Sequence, residues 1–161
     1  QIIRLSNLPL LSKVINQIFE HFRDEKDSGI LTLTHIYLLV GCSAPLWLSS
    51  SLTDQSRLLL ASGVITVGIG DSFASLGGFY FGSHKWPNSK KSYEGTLCSF
   101  VSQLISLLLL HISFRLPQII LSDLFKFGLV SLASSLAETF TRHVDNLILP
   151  LVQYALVLLL F

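Results

Sequence analysis

The stretch of sequence that decides the fold is residues 70–96, GDSFASLGGFYFGSHKWPNSKKSYEGT. Asp71 follows an apolar run, and the small residues after it share one helical face, at i+3, i+4, i+7 and i+11: Ala74, Ser75, Gly78 and Gly82. A polar loop with three lysines comes next, and hydrophobicity resumes after Thr96. A carboxylate, glycines and lysines beside a membrane-like segment indicate a site for a polyphosphate and its metal at a bilayer surface.

The composition is that of a membrane protein rather than of a soluble domain. Half of the 161 residues are hydrophobic, 13% are charged, and the mean hydropathy is +0.61. The net charge of +1 gives no global field that would attract nucleic acid. Cys42 and Cys98 lie in apolar surroundings, which predicts buried thiols rather than a disulfide framework or a zinc site. The chain opens on Gln1 and contains no methionine, so we expect it to be part of a longer protein.

The hydrophobic pattern predicts an all-α fold, a polytopic membrane helical bundle that forms one membrane-embedded catalytic domain over residues 1–161. Residues 1–29 are predicted to form an amphipathic helix at the membrane interface, closed by a charged loop. About five spans of about 20 residues are predicted within residues 30–161, at 30–52, 58–82, 97–122, 123–141 and 146–161. Gly68 and Gly70 favour a break in the second span, which would place Asp71 at a helix N-terminus.

The distribution of positive charge predicts the orientation of this bundle. With five crossings, eight of the eleven basic residues fall on one side of the membrane: Arg4, Lys13, Arg23, Lys26, Lys85, Lys90, Lys91 and Arg142. The other three are Arg57, Arg115 and Lys126. The positive-inside rule then makes the first side cytoplasmic, and every polar cluster faces the compartment that contains nucleotides.

Two parts of the central stretch are candidates for binding or chemistry. Asp71 is a candidate because an ionisable side chain at membrane depth is costly and usually functional. Helix packing is the alternative, since Gly78 and Gly82 form a small-xxx-small pair, but packing explains the glycines and not the carboxylate. In the loop, the Lys-Lys-Ser run at residues 90–92 suits phosphate oxygens, and a positive-inside topology signal is the alternative. The Walker A order is absent.

The motifs resemble those of the CTP-dependent polyprenol kinase family. Residues 70–96 carry Asp-x-x-Ala-x-x-x-Gly and then Lys-Trp-Pro-Asn-Ser-Lys-Lys-Ser-x-Glu-Gly-Thr. The resemblance extends to residues 23–46 (RDEKDSGILTLTHIYLLVGCSAPL) and 138–150 (ETFTRHVDNLILP). It implies the C-terminal catalytic part of a multi-pass endoplasmic reticulum protein with its active site facing the cytoplasm. The implied reaction transfers the γ-phosphoryl group of CTP to a long-chain polyprenol such as dolichol and requires a divalent cation (Mg²⁺ or Ca²⁺). The polyprenyl phosphate that it forms would be used in protein glycosylation.

The resemblance also implies roles for individual residues. Residues 78–96 would form the CTP-binding loop, with contacts from Gly78, Gly82, Lys85, Asn88, Lys90, Lys91, Ser92, Tyr93, Gly95 and Thr96. Asp71 and Glu94 would bind the metal, because hard cations take carboxylate oxygens. Asp71, Glu138 and Asp145 would be the catalytic groups, with Glu138 or Asp145 accepting the proton of the alcohol or holding metal.

Other functions remain open at this stage. Phytol kinases and CTP-dependent diacylglycerol kinases share the Asp and Lys-Ser-x-Glu-Gly-Thr elements. A phosphatidate-type cytidylyltransferase also uses CTP but releases pyrophosphate instead of CDP. A carrier or channel with a polar site at the membrane midplane would explain Asp71 and the small residues, but not the lysine-rich loop.

Overall fold

The computed structural model describes residues 34–49, 54–87, 89–114, 121–141 and 145–161. Within these ranges the fold is all-helical, as predicted, and the helices follow one another in this order: α1 (Thr34–Leu48), α2 (Asp54–Gly63), a π-helical segment (Val64–Asp71), α3 (Ser72–Phe81), α4 (Tyr93–Ser113), α5 (Leu121–Phe140) and α6 (Asp145–Leu160). The interfacial helix predicted for residues 1–29 lies outside the described residues, as does Asn88.

The second predicted span is continuous through its glycines. The chain stays helical from α2 into α3, and the prediction of a break at Gly68 and Gly70 is wrong. The backbone changes instead to π-helical geometry over Val64–Asp71. A glycine has no Cβ and tolerates altered backbone geometry, and an uninterrupted helix keeps the backbone polar groups of an apolar segment hydrogen-bonded. Asp71 therefore ends the π-helical segment and does not begin a new helix.

Two of the described helices are long and apolar enough to cross a membrane, fewer than the five predicted spans. They are Arg57–Phe81, with 25 residues, and Tyr93–Ser113, with 21 residues. Helices α1 and α6 are apolar but shorter, with 15 and 16 residues. Helix α5 has 20 residues, but every 18-residue window of it contains the same three charged residues: Asp123, Lys126 and Glu138.

Small residues allow the helices that carry the central motif to pack closely. A Cβ added at Gly95 of α4 would lie 2.8 Å from the carbonyl oxygen of Ala74 in α3. One added at Gly63 would lie 2.7 Å from Cα of Cys42 in α1. Close approach of this kind is usual for helices that pack through small residues. It sets the helices of the bundle at fixed positions around the polar cavity described below.

The interior of the bundle is more polar than its surface. Many buried side chains are polar, and they include Ser62, Thr66, Ser99, Gln103, Ser131, Ser134, Glu138 and Gln153. Large apolar side chains such as Leu39, Trp47, Phe79 and Leu159 are instead exposed. Large apolar side chains are exposed on each of the described α-helices α1 and α3–α6. The pattern fits helices whose outer faces contact lipid.

Candidate functional site

Asp71 and one face of α3, the loop after α3, the start of α4 and the end of α5 line a cavity of about 250 Å³. The residues that line it are Asp71, Ala74, Ser75, Gly78, Gly82, Lys85, Lys90, Lys91, Ser92, Gly95, Thr96 and Glu138. Three lysines face two carboxylates there, so the lining carries more positive than negative charge. Ligand pockets usually enclose roughly 300–1,000 Å³. The cavity is therefore slightly smaller than most ligand pockets and large enough to take a chain of phosphate groups.

The helical face predicted from the spacing after Asp71 forms one wall of this cavity. All five of its members line the cavity: Asp71, Ala74, Ser75, Gly78 and Gly82. The glycines allow α3 to approach the start of α4 closely, since a Cβ at Gly78 would lie 3.2 Å from the hydroxyl oxygen of Ser92. The same small residues thus serve close packing and leave space for a ligand, so the two interpretations of the stripe are compatible.

The basic loop folds back on itself and brings its lysines to the cavity. Lys85 and Ser92 form an isolated antiparallel bridge, and the Trp86 N–H donates to the carbonyl oxygen of Lys91 at 3.0 Å. The indole N–H of Trp86 also donates to Oγ1 of Thr96 at 3.0 Å. Main-chain hydrogen bonds thus close the loop on itself, and a side-chain hydrogen bond from Trp86 joins it to the start of α4.

The N-terminus of α4 opens at the cavity. Ser92 caps the helix, because its hydroxyl accepts the N–H of Gly95 at 3.1 Å. Thr96, one turn further on, lies with its Oγ1 2.9 Å from Oγ1 of Thr139 in α5. Ser92, Gly95 and Thr96 all line the cavity, so the positive end of the helix dipole lies beside the lysines. This is an arrangement that favours anions.

Lys91 and Glu138 join the loop to α5. The Lys91 ammonium donates to the carbonyl oxygen of Glu138 at 2.6 Å and lies 3.3 Å from its Oε1. The other carboxylate oxygen, Oε2, accepts the Ser99 hydroxyl at 2.7 Å. The Glu138 side chain is 4% exposed and that of Lys91 is 32% exposed. Lys91 therefore compensates a carboxylate that is otherwise buried, and both groups remain at the cavity wall.

Three other residues predicted for the site are not among the residues that line this cavity. The Glu94 carboxylate accepts the backbone N–H of His84 at 3.2 Å and lies 2.8 Å from His84 Nδ1. Tyr93 stacks on Trp86, with the ring centroids 4.1 Å apart. Asp145 begins α6 and accepts the N–H of Asn146. Asn88 lies outside the described residues.

The donor set of the cavity suits a metal ion that arrives with its ligand. Asp71 and Glu138 are its two carboxylates. Across the described ranges there is no group of three or more His, Cys, Asp or Glu side chains arranged to hold a metal. Mg²⁺ is commonly held by one or two carboxylates together with substrate phosphates and water. The residues present fit that mode and not a site built from protein ligands alone.

The sequence interpretation missed the buried polar residues of α4 that form hydrogen bonds next to the cavity. Ser99 contacts Glu138, and Gln103 contacts Ser99. The missed signal is a polar stripe at three- and four-residue spacing within an apolar helix, at Ser92, Thr96, Ser99, Gln103 and Ser106. In a helix with apolar surroundings, such a stripe marks the inward face.

The fold and the cavity define a class of protein. In the described residues it is an all-helical bundle with apolar outer faces and a cavity lined by lysines and carboxylates. No family model and no solved structure matches the chain. Curated proteins named dolichol kinase do match the chain.

The similarity to dolichol kinases covers nearly the whole chain. The chain is 39% identical to "Dolichol kinase" of Mus musculus over 165 residues, which are 98% of the chain and 30% of that protein. It is 32% identical to "Dolichol kinase EVAN" of Arabidopsis thaliana over 99% of the chain and 28% of the relative. It is 38% identical to "Dolichol kinase" of Saccharomyces cerevisiae over 67% of the chain and 19% of that protein. The chain thus spans about 30% of the length of its mouse relative. These matches confirm the resemblance predicted from the motifs.

Proposed function

We propose that this chain carries the phosphoryl-transfer centre of a CTP-dependent dolichol kinase. The observation that carries the proposal is the single cavity in which Lys85, Lys90 and Lys91 meet Asp71 and Glu138. The similarity to proteins named dolichol kinase supports the choice of dolichol as acceptor. The motif at residues 78–96 supports CTP as donor. The product, dolichyl phosphate, would serve protein glycosylation.

The lysines and the start of α4 would hold the phosphate chain of CTP. Phosphoryl transfer needs charge neutralisation and in-line positioning more than covalent help from the protein. Lys90 and Lys91 supply positive charge, and the N-terminus of α4 adds backbone N–H groups and the helix dipole. The small residues of α3 leave room for the phosphate oxygens between these donors.

Asp71 and Glu138 would hold the divalent cation, Mg²⁺ or Ca²⁺, together with the phosphates. The cation would neutralise charge on the transferred group when bound. Asp71 keeps the role that the sequence suggested. Glu138 is a better candidate than Glu94 for the second carboxylate, because Glu138 lines the cavity and Glu94 faces His84.

The alcohol of dolichol would attack from the lipid side of the cavity. In the transfer, a bond forms between the alcohol oxygen and the γ-phosphorus, and the bond from that phosphorus to the bridging oxygen of CDP breaks. The alcohol proton leaves to a carboxylate. We assign this base role to Glu138 in preference to Asp145, since Glu138 is the one of the two that lines the cavity. The base role and the metal role of Glu138 are alternatives, and Asp71 with the phosphates would hold the cation when Glu138 accepts the proton.

The location follows from the same assignment. We propose a multi-pass protein of the endoplasmic reticulum membrane with about five crossings, two of which correspond to Arg57–Phe81 and Tyr93–Ser113. The cavity would face the cytoplasm, where CTP is available, while the polyprenyl tail remains in the lipid. The excess of lysine and arginine on the side that holds the loop supports this orientation.

The decisive experiment is transfer of label from γ-labelled CTP to added dolichol in membranes that contain the protein. We expect labelled dolichyl phosphate and CDP, and no product with γ-labelled ATP. Release of pyrophosphate with a cytidylylated lipid would instead establish a cytidylyltransferase. Labelling of phytol or diacylglycerol with dolichol left unlabelled would identify another CTP-dependent lipid kinase and contradict the proposed acceptor.

A further inference from the structure

A buried chain of hydrogen bonds leads from the cavity into the core of the bundle. The Gln103 amide nitrogen donates to the Ser99 hydroxyl at 3.0 Å, and that hydroxyl donates to Oε2 of Glu138 at 2.7 Å. Gln103 and Ser99 are completely buried. The chain ends in the cavity, where the other oxygen of Glu138 meets Lys91. Gln103 itself is not among the residues that line the cavity.

The direction of this chain is fixed by the chemistry of its members. An amide NH₂ group only donates, so the Ser99 oxygen accepts from Gln103. The single hydroxyl proton of Ser99 is then directed at the Glu138 carboxylate. Hydrogen bonds arranged head to tail strengthen one another in surroundings of low dielectric constant, and those that end on a charge are the strongest. Gln103 thus acts on Glu138 although the two side chains share no direct hydrogen bond in the described structure.

The backbone beside Asp71 holds the Gln103 amide in place from the other side. A Cβ at Gly70 would lie 2.5 Å from Nε2 of Gln103 and 3.0 Å from its Cδ. A larger residue at position 70 would push the amide out of its present position. Since Asp71 follows directly, the amide lies between the segment that presents one carboxylate of the cavity and the hydroxyl that orients the other.

The amide also leaves one of its own atoms unsatisfied. Oε1 of Gln103 is buried and has no hydrogen-bond partner in the described part of the chain. A buried polar group without a partner is costly and needs an explanation. An apolar side chain of the same shape would avoid this cost. The donor function of the amide supplies the explanation.

We infer that Gln103 is a positioning residue, which acts through Ser99 to hold the Glu138 carboxylate against Lys91 and toward the cavity. The kinetic consequence rests on the proposed kinase function, whereas the geometric consequence does not.

A double-mutant cycle tests the kinetic consequence. Gln103→Leu and Ser99→Ala should each lower the kcat of labelled phosphate transfer about tenfold, with the KM for CTP within about twofold, because Ser99→Ala removes the hydrogen bond to Glu138 and Gln103→Leu removes the donor that directs the Ser99 proton at Glu138. The double variant should be no slower than Ser99→Ala alone, since Gln103 acts only through that hydroxyl. Additive losses would overturn the inference, because they would show that Gln103 acts independently, for example by packing.

The chain offers a matched control in Gln153. This side chain is also completely buried, and its two polar atoms have no hydrogen-bond partner among the described residues. Gln153→Leu makes the same chemical change outside the relay, so the rate per folded molecule should stay at the wild-type value. A loss equal to that of Gln103→Leu would overturn the inference. Folded protein is measured by size exclusion in detergent, and Gln103→Met replaces Gln103→Leu if the latter does not fold.

A second readout needs neither CTP nor dolichol. Acetylation by an N-hydroxysuccinimide ester, measured by mass spectrometry, compares Lys91 with the neighbouring exposed Lys90 in each variant. Gln103→Leu and Ser99→Ala should raise the Lys91-to-Lys90 ratio at least twofold, because a displaced Glu138 carboxylate leaves the Lys91 ammonium with the backbone carbonyl of Glu138 and without the charge that lowers its reactivity. An unchanged ratio would overturn the inference. If the wild-type protein transfers no phosphate from CTP, the proposed function fails, and this ratio still decides the role of Gln103.

Discussion

Replacing Lys91 by methionine should lower both stability and activity, whereas the same replacement at Lys90 should lower activity alone. Methionine keeps a long unbranched side chain and removes the charge. Lys91 donates to the backbone and the carboxylate of Glu138 at 2.6 and 3.3 Å. Lys90 also lines the cavity, but its side chain is exposed. Comparing the two variants therefore distinguishes a structural role, in which Lys91 holds α5, from a role in binding phosphate, which both lysines would share.

The magnitude follows from what Lys91→Met leaves behind. Removing one partner of a buried ion pair costs about 3–5 kcal/mol. We expect the lower end, about 3 kcal/mol, because the Ser99 hydroxyl still serves the carboxylate and water reaches the Lys91 side chain. At about 2–4 °C per kcal/mol for a domain of this size, the melting temperature should fall by about 6–12 °C. Interactions of an exposed lysine contribute about 0–1 kcal/mol, so Lys90→Met should shift it by about 4 °C at most.

The assay is thermal unfolding of the purified protein in detergent, followed by loss of the monodisperse peak in size exclusion. A Glu138→Gln background provides the control, because Lys91→Met should cost about 2 kcal/mol less once the buried charge is gone. Equal melting temperatures for Lys91→Met and Lys90→Met would refute the proposed structural role of Lys91. So would an equal cost of Lys91→Met in the wild-type and Glu138→Gln backgrounds.

Further changes test the cavity, the helix packing and the orientation. Asp71→Asn keeps the size of the side chain and removes the charge, so it should abolish phosphate transfer at normal membrane abundance, and wild-type turnover would exclude Asp71 as a metal ligand. Gly95→Ala should lower the free energy of unfolding by about 1–3 kcal/mol in thermal melts, because its Cβ would lie 2.8 Å from the carbonyl oxygen of Ala74; an unchanged melt would contradict the close packing. A cysteine placed at Ser83 should react with an impermeant maleimide from the cytoplasmic side of sealed vesicles, and labelling from the lumen alone would reverse the proposed orientation.

Local periodicity was enough to predict one wall of the cavity. The spacing of Asp71, Ala74, Ser75, Gly78 and Gly82 places them on one face of any α-helix, and the structure has α-helix from Ser72 to Phe81. The predicted spans 123–141 and 146–161 also lie within two residues of α5 and α6 at both ends, whereas the predicted span 97–122 begins and ends later than α4, which is Tyr93–Ser113. These features depend on neighbours within a few positions along the chain.

Features that depend on distant parts of the chain were not predictable in this way. The sequence did not indicate that the folded loop places Nδ1 of His84 2.8 Å from the Glu94 carboxylate. Lys91 and Glu138 are 47 positions apart, and no local pattern pairs them. The sequence identified both as site residues without indicating that they contact each other. Hydropathy also does not say where an apolar helix ends, and among the described helices two, Arg57–Phe81 and Tyr93–Ser113, are long and apolar enough to cross a membrane.

The shared face that begins at Asp71 agrees with the structure although the helical segment that precedes it is irregular. A π-helical stretch has a different number of residues per turn from an α-helix, so it rotates the face that follows relative to the face that precedes it. Leu58 and Leu59 of α2 belong to the apolar core, whereas Asp71 and Ser75 line the polar cavity. The α-helical spacing was applied only from Asp71 onward, at the residue where the π-helical segment ends. One continuous helix thus serves the apolar core with its first half and the cavity with its second half.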